Sequence, residues 1–367
     1  VRVAVLSSTP ASPIEGSGTY VALAGLVAGL RQRGHAVEVR PLGRRTRFHT
    51  FDRWRYNATL ALDPPEADAV IGVDLDGFLW AGRSPRWRRR PHGPVPGVRG
   101  RPRFVVSLKG VIADERTHER GWVRSLLGVQ ARWERLNVSR ADAVVAPSRY
   151  AASAAARWYG IDDHRIAIIP EPVDVSGWRA RLASVERRPP DGVTVLSVAR
   201  MYPRKHLGDL LVAAGLLRTR IPALRVRIVG NGPEYHALVG RHAALGLGDG
   251  VRLLGDVSAH ALAVEYASAN VFCLPSRQEA FGVVFAEAMA AGLPVVACRA
   301  AAVPEVVDDG HTGILVAPGQ PAQLAGAIER LVRDEELRRR LGQAGLERVE
   351  RFDVPRIAAT WERVLAS

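Results

Sequence analysis

The sequence predicts an α/β chain of two Rossmann-like, doubly wound domains, each built on a parallel sheet. Three observations carry that expectation. Short apolar runs alternate with helical stretches along the whole chain. Those runs are apolar throughout instead of at every second residue, as strands covered on both faces are. The rhythm also restarts near the middle, and 367 residues suffice for two cores.

VRVAVLSS opens as a strand and a turn, without the basic region, long apolar stretch and cleavage site of a signal peptide. TYVALAGLVAGLRQRG follows at helical spacing and stops on Gly34, a helix-ending residue. HAVEVR, ADAVIGVD, RFVVSLKG, ADAVVAPS and HRIAIIP continue the strands of a first domain. GVTVLSVA begins the second, followed by the helix DLLVAAGLLRT and the strands LRVRIVGNG, VRLLGDV, NVFCLPS, LPVVACRA and TGILVAP. The expected domains are residues 1–172 and 173–352, with residues 176–192 as the link. A closing helix within 353–367 has either domain open to it, packing back on the first being one of the two arrangements.

Composition narrows the function. No run of about 18 apolar residues is present, so no spanning helix is expected. Cys273 and Cys298 lie in apolar runs, which fits buried strands in a reducing compartment. The net charge is +14, and it is uneven. Residues 1–170 hold 27 Lys and Arg against 15 Asp and Glu, whereas residues 171–367 hold 24 against 22. The first half is therefore expected to carry a field that suits an anionic partner, unless arginine is merely the background cation. Two stretches stand out. Residues 83–103 hold eight Arg and no acid, and feed the amino end of a strand. Residues 40–57 leave a strand's carboxyl end, the side on which such sheets bind ligands. Against that arginine background only two lysines occur, Lys109 and Lys205.

The chemistry concentrates in two segments. In RQEAFGVVFAEAMAAGLPVVA, Glu279 is expected in the loop after a strand and Glu287 within the next helix. The N–H groups of Ala280 to Val283 then open a helix where a phosphate or a hydroxyl-rich ligand fits. The plainer alternative is a glutamate favoured by the helix dipole plus one buried, paired acid. In VLSVARMYPRKHLGDLL, Arg200 and Lys205 follow a strand and can clamp a diphosphate; a solvated basic turn is the alternative.

Together with RIVGNGPE, ANVFCLPS, VPEVVDDGHTGILV and GSGTYVALAGLVAGLRQRGHAV, these segments resemble the retaining glycosyltransferases of family 4, which have the GT-B fold. That resemblance implies two Rossmann-like domains facing a central cleft. It also implies transfer of a sugar from a nucleoside diphosphate sugar to an acceptor hydroxyl, by front-face attack without a protein nucleophile. Arg200 and Lys205 match the residues that hold the donor diphosphate, Glu279 the glutamate near the transferred sugar, and Glu287 the one on the ribose. The backbone at Phe281, Gly282 and Val283 matches the sugar and phosphate contacts. Ser17 and Gly18 match a glycine pair that approaches the diphosphate. Lys109 stands where the family usually has a sugar-contacting histidine, and is counted with Glu279, Arg200 and Lys205 among the catalytic residues.

The acceptor side is expected at Asp74, Asp76, Asp114, Glu115 and His118, and in the Arg44–Arg55 segment, although each is as readily a solvated surface charge. The Asp74-Leu-Asp76 pattern looks like a metal motif of another glycosyltransferase fold, but Arg and Lys meet the diphosphate here, so no metal and no cofactor are expected. Gly16 to Gly18 lacks the third glycine of a nicotinamide fingerprint, since position 21 is valine. The partners implied are the nucleotide sugar and a small-molecule, glycan or lipid-linked acceptor, with no nucleic acid. The implied location is cytoplasmic, with peripheral contact at the inner membrane face. A nucleotide-sugar epimerase and a non-catalytic anion- or membrane-docking protein are the alternatives. An epimerase would consume donor without acceptor.

Overall fold

The computed structural model describes residues 1–9, 13–43, 45–46, 48–81, 102–188 and 192–366. The chain divides into two compact units, Val1–Pro172 with Val354–Ser367, and Val173–Asp353.

The first unit is a parallel sheet of β1 (Arg2–Ser7), β2 (Ala36–Pro41), β3 (Ala69–Val73), β4 (Arg103–Ser107), β5 (Ala143–Ala146) and β6 (Ile166–Ile168), in the order β2-β1-β3-β4-β5-β6. Successive side chains point to opposite faces, so a continuous apolar run feeds two cores at once. Val3, Val5, Ile71, Val73 and Val105 pack on one face with Leu26, Leu30 and Trp361. Ala4, Leu6, Val70, Phe104 and Val106 pack on the other with Tyr56, Leu60, Val138 and Tyr159. Trp361 belongs to the last helix, Val354–Ala366, and is 2% exposed. That helix reaches the sheet because Gly29 of helix Pro13–Gln32 has no side chain. A Cβ there would sit 2.8 Å from Ala358 Cβ.

The second unit repeats the plan with β7 (Thr194–Val198), β8 (Arg225–Val229), β9 (Val251–Gly255), β10 (Val271–Leu274), β11 (Val295–Cys298) and β12 (Gly313–Val316). The order is β12-β11-β10-β7-β8-β9, again all parallel. In both sheets the strand order reverses beside the first strand, between β1 and β3 and between β7 and β10. Open α/β sheets bind ligands at such a switch point, beyond the carboxyl ends.

Two expectations about segments change. Residues 176–192 are not simply a link. Their first half lies in helix Val175–Ala183, capped by Asp174, which accepts a hydrogen bond from the Gly177 N–H at 3.0 Å. The helix buries Val175 and Trp178 and leaves Arg181 at the surface. The basic stretch 40–57 likewise turns into helix His49–Leu62, with Asp52, Arg53 and Asn57 buried. The basic stretch 83–103 lies, except for its last two residues, outside the described residues.

Candidate active site

In the second unit, the loops after β7 and β10 meet at the switch point. Lys205 Nζ donates to Glu279 Oε1 at 2.6 Å, and their side chains are 12% and 10% exposed. The residues are 74 apart in sequence. Only the adjacency of β7 and β10 brings them together. Backbone bonds stitch the loops: Arg277 N–H donates to the Arg204 carbonyl at 2.9 Å, and Ala302 N–H to the Glu279 carbonyl at 3.2 Å. Arg204 lies 4.8 Å over the Tyr202 ring, away from the role given to Lys205.

The helix after Glu279 runs Val283–Ala290, with Gly282 at its start in the left-handed region, φ +92°. A Cβ on Gly282 would lie 2.6 Å from the Phe285 ring. Glycine is therefore required there twice over, by conformation and by contact. Phe281, 4% exposed, is locked edge-on against Phe352 with ring centres 5.1 Å apart. In the first turn the Phe285 N–H donates to the Gly282 carbonyl at 3.0 Å, and the N–H groups before it are the ones a helix start turns towards a ligand.

Glu287 lies one turn further into that helix. Its carboxylate Oε2 accepts from the Tyr266 hydroxyl at 3.1 Å, and its carbonyl accepts from Trp178 Nε1 at 3.1 Å. The residue is only partly covered, yet loss of water around the carboxyl pushes its pKa up to about 7, against the pull of Tyr266 and Arg181. Tyr266 and Trp178 are partners that the sequence did not reveal. They stack edge-on at 5.2 Å, from two helices far apart in the chain.

In the first unit, the carboxyl ends of β1, β3 and β4 enclose a buried polar network. Lys109 Nζ donates to Glu171 Oε2 at 2.7 Å, with side chains 5% and 7% exposed. The Lys109 N–H donates to Asp74 Oδ1 at 2.7 Å. Asp74 has φ +53°, a conformation held by Asn137, whose amide donates to the Asp74 carbonyl at 2.7 Å. Desolvation pushes Asp74 up to about 6, opposed mainly by Arg53 and aided by the charges of Asp76 and Glu115. Glu134, fully buried, is pushed well above the usual carboxylate range by desolvation and then by Asp74. It accepts from the Tyr159 hydroxyl and from the Ile112 N–H.

Two of the acceptor-side candidates, Asp76 and Asp114, are buried. Asp76 is 0% exposed and spends both oxygens on Ser8, with Asn57 adding a third partner at 3.2 Å. Asp114 is 5% exposed and accepts from the Tyr150 hydroxyl at 2.7 Å, with Arg157 and Trp158 further out. Neither is a solvated charge, and neither presents a surface to an acceptor. Arg53, from the Arg44–Arg55 segment, is buried on Ser8 Oγ and Gln130 Oε1. Asp74, Glu115 and His118 keep partial exposure. Ser17 and Gly18 do not open a helix. They lie in the second turn of helix Pro13–Gln32, where N–H groups already point to carbonyls four residues back. Of the Arg44–Arg55 segment, positions 44 and 47 lie outside the described residues. Among the described residues, no three His, Cys, Asp or Glu side chains gather as a metal site would require, and no helix is long and apolar enough to cross a membrane.

Comparison with known proteins places the chain. The family model described as glycosyl transferases group 1 matches residues 179–348, and that described as Glycosyltransferase Family 4 matches residues 16–176. A GDP-mannose-dependent alpha-(1-6)-phosphatidylinositol monomannoside mannosyltransferase of Mycobacterium tuberculosis is 32% identical over 310 residues, 80% of this chain and 77% of the relative. The chain belongs to glycosyltransferase family 4. A D-inositol 3-phosphate glycosyltransferase of Streptomyces bingchenggensis is 35% identical over 246 residues, 62% of this chain; the match spans about half of that relative, 53%. Among solved structures, sucrose-phosphate synthase of Thermosynechococcus elongatus superposes with TM-score 0.76 at 22% identity, over 100% of this chain and 98% of that one. Anabaena HepE in complex with UDP and glucose gives 0.74 at 21%, over 100% and 99%. These likenesses establish the GT-B fold.

Proposed function

We propose that this family 4 chain is a retaining hexosyltransferase that moves a sugar from a nucleoside diphosphate sugar to an acceptor hydroxyl. The observation that carries the reading is the Lys205–Glu279 pair at the switch point, 2.6 Å long and pre-organised by the sheet. Arg200 and Lys205 take the donor diphosphate, and their fixed charge stabilises it as it leaves. Glu279 orients Lys205 and accepts from the transferred sugar's hydroxyls. Gly282 brings the helix mouth close to the same group. Glu287, with a pKa near neutrality, meets the ribose hydroxyls, held in place by Tyr266.

The acceptor oxygen attacks the anomeric carbon on the face from which the diphosphate departs. One C–O bond forms as the other breaks, and the acceptor's proton passes to the leaving phosphate oxygen. Two cations and a helix N-terminus meet the diphosphate charge, so the reaction needs no divalent metal. The names of these relatives point to inositol phosphates and phosphatidylinositol derivatives as acceptors. An anionic polyol of that class suits the basic first half of this chain. Phe48, Phe51 and Trp54, which are 75%, 52% and 44% exposed beside Arg45 and Arg55, suit contact with an anionic bilayer at the cytoplasmic face.

The test is a thermal-shift panel of uridine and guanosine diphosphate sugars, followed by turnover with an inositol phosphate acceptor under excess chelator. A donor should raise the midpoint through mass action, and the product should keep the donor's anomeric configuration. Absence of any stabilising donor would overturn the reading; an inverted product would overturn the retaining mechanism. Loss of turnover restored by magnesium would overturn metal independence.

A further inference from the structure

The other end of the second unit's sheet holds a cavity that the proposed transfer does not use. Its volume is about 890 Å³, within the range that holds nucleotide-sized ligands. It lies at the amino ends of β7, β8 and β9 and before β10, and Arg187, Arg188, Arg225, Arg227, Arg252 and Asn270 line it. The donor residues follow the carboxyl ends of the same strands, one strand length away, on the order of 15 Å.

Charge counting along the sequence hides this site, because residues 171–367 are nearly balanced overall. The sheet gathers the arginines. Arg225 and Arg227 share one face of β8, and Arg227 lies directly opposite Arg252 on β9. Like charges in that register repel. The counter-charge at hand is small. Arg227 places Nε and Nη2 on the two oxygens of Glu265, at 2.6 and 2.7 Å, and Arg188 Nη1 shares the same carboxylate. Among the described residues, Arg252 pairs with Asp249, itself 98% exposed, at 3.8 Å. Arg188 Nη2 is buried with no hydrogen-bond partner. Its neighbours Arg187, Arg225 and Arg252 line the same cavity, where a bound anion would add counter-charge.

We propose that this cavity binds an oligophosphate, a chain of two or more phosphates, either free or carried on a nucleoside. Glu265 holds Arg188 and Arg227 in place, and Arg187, Arg225 and Arg252 close on the anion from the rim.

Isothermal titration of inorganic tripolyphosphate into the Lys205→Ala protein isolates this site from the donor site. Binding should persist there, and should weaken about ten-fold or more when Arg187→Gln, Arg225→Gln and Arg252→Gln are added. Arg188 and Arg227 stay, because removing them would leave Glu265 buried and unpaired. The single change Arg252→Gln, at a side chain 57% exposed and tolerant of substitution, should by itself weaken binding several-fold. Repeating the titration with adenosine triphosphate separates the sources: equal affinity marks recognition of the phosphate chain alone, and tighter affinity marks the nucleoside as well. Absence of binding to Lys205→Ala at low salt, or binding indifferent to the arginine substitutions, would overturn the proposal.

Discussion

The chain's two lysines sit in matching places. Each follows the carboxyl end of a parallel strand in its own unit, and each donates to a glutamate from a distant loop, at 2.7 Å for Lys109–Glu171 and 2.6 Å for Lys205–Glu279. Their surroundings differ. The Lys109 backbone donates to Asp74, and desolvation pushes up Asp74, Asp76 and Glu134 alike. Lys205 lies beside arginine-bearing loops and the mouth of a helix. The first pair completes a buried network in which each partner satisfies the other. The second stands at the switch point of its sheet, where the proposed function gives it the donor diphosphate.

Breaking each pair should separate the roles. Lys109→Ala leaves Glu171 buried without its cation, which costs about 3–5 kcal/mol of stability. Denaturant unfolding should show it, and adding Glu171→Leu should recover a large part. A loss smaller than about 1 kcal/mol, the scale of exposed pairs, would mean that the pair is not buried in solution. Lys205→Ala should also cost stability, since it leaves Glu279, 10% exposed, without this cation, and should in addition lower turnover about 100-fold or more, equivalent to roughly 2.7 kcal/mol in the transition state. Near-normal turnover in that folded variant would remove Lys205 from the diphosphate.

Gly282→Ala sharpens the comparison at the backbone. An alanine at φ +92° facing the Phe285 ring costs on the order of 1–3 kcal/mol and shifts the helix mouth. Donor-induced stabilisation should fall with it. An unchanged response to donor would show that the ligand does not approach this turn.

The smallest effect expected is at Glu287. Its folded pKa of about 7 lies above its ordinary 4.5, so the folded state binds the proton more tightly than the unfolded chain does. That contribution is fully present below pH 4.5 and is lost as pH rises towards 7. Glu287→Gln, which keeps an acceptor for Tyr266, should therefore raise stability by on the order of 1 kcal/mol at pH 8 and leave it unchanged at pH 4. Denaturant midpoints at the two pH values test this. Equal shifts at both would mean that the carboxyl is not the titrating group.

The strands were legible because their signal is local. Burial on both faces demands an unbroken apolar run such as VRVAVL or NVFCL, whatever the neighbours are. Glu279 and Glu287 were legible as a loop residue and a helix residue because their spacing and the glycine between them constrain one short segment. Glu171, Glu134, Tyr266 and Trp178 were not legible as partners. Each meets its counterpart across strands or helices whose order along the chain differs from their order in space. Arg53 and Asn57 carried a faint signal, since residues four apart share a helix face, but nothing in the stretch said that this face would be buried.

By itself the sequence determined the α/β alternation, the restart of the pattern in a second domain, and the residue types that family 4 chemistry uses. It did so because periodicity and turn chemistry act over a few residues. Tertiary structure alone decided which charges are solvated and which are sealed. It put Asp76 and Asp114 inside, gave each lysine its glutamate, and gathered five arginines at the amino end of a sheet whose sequence is nearly neutral. Charge effects depend on distance and on exclusion of water, and both are set by strand order, which no local pattern encodes.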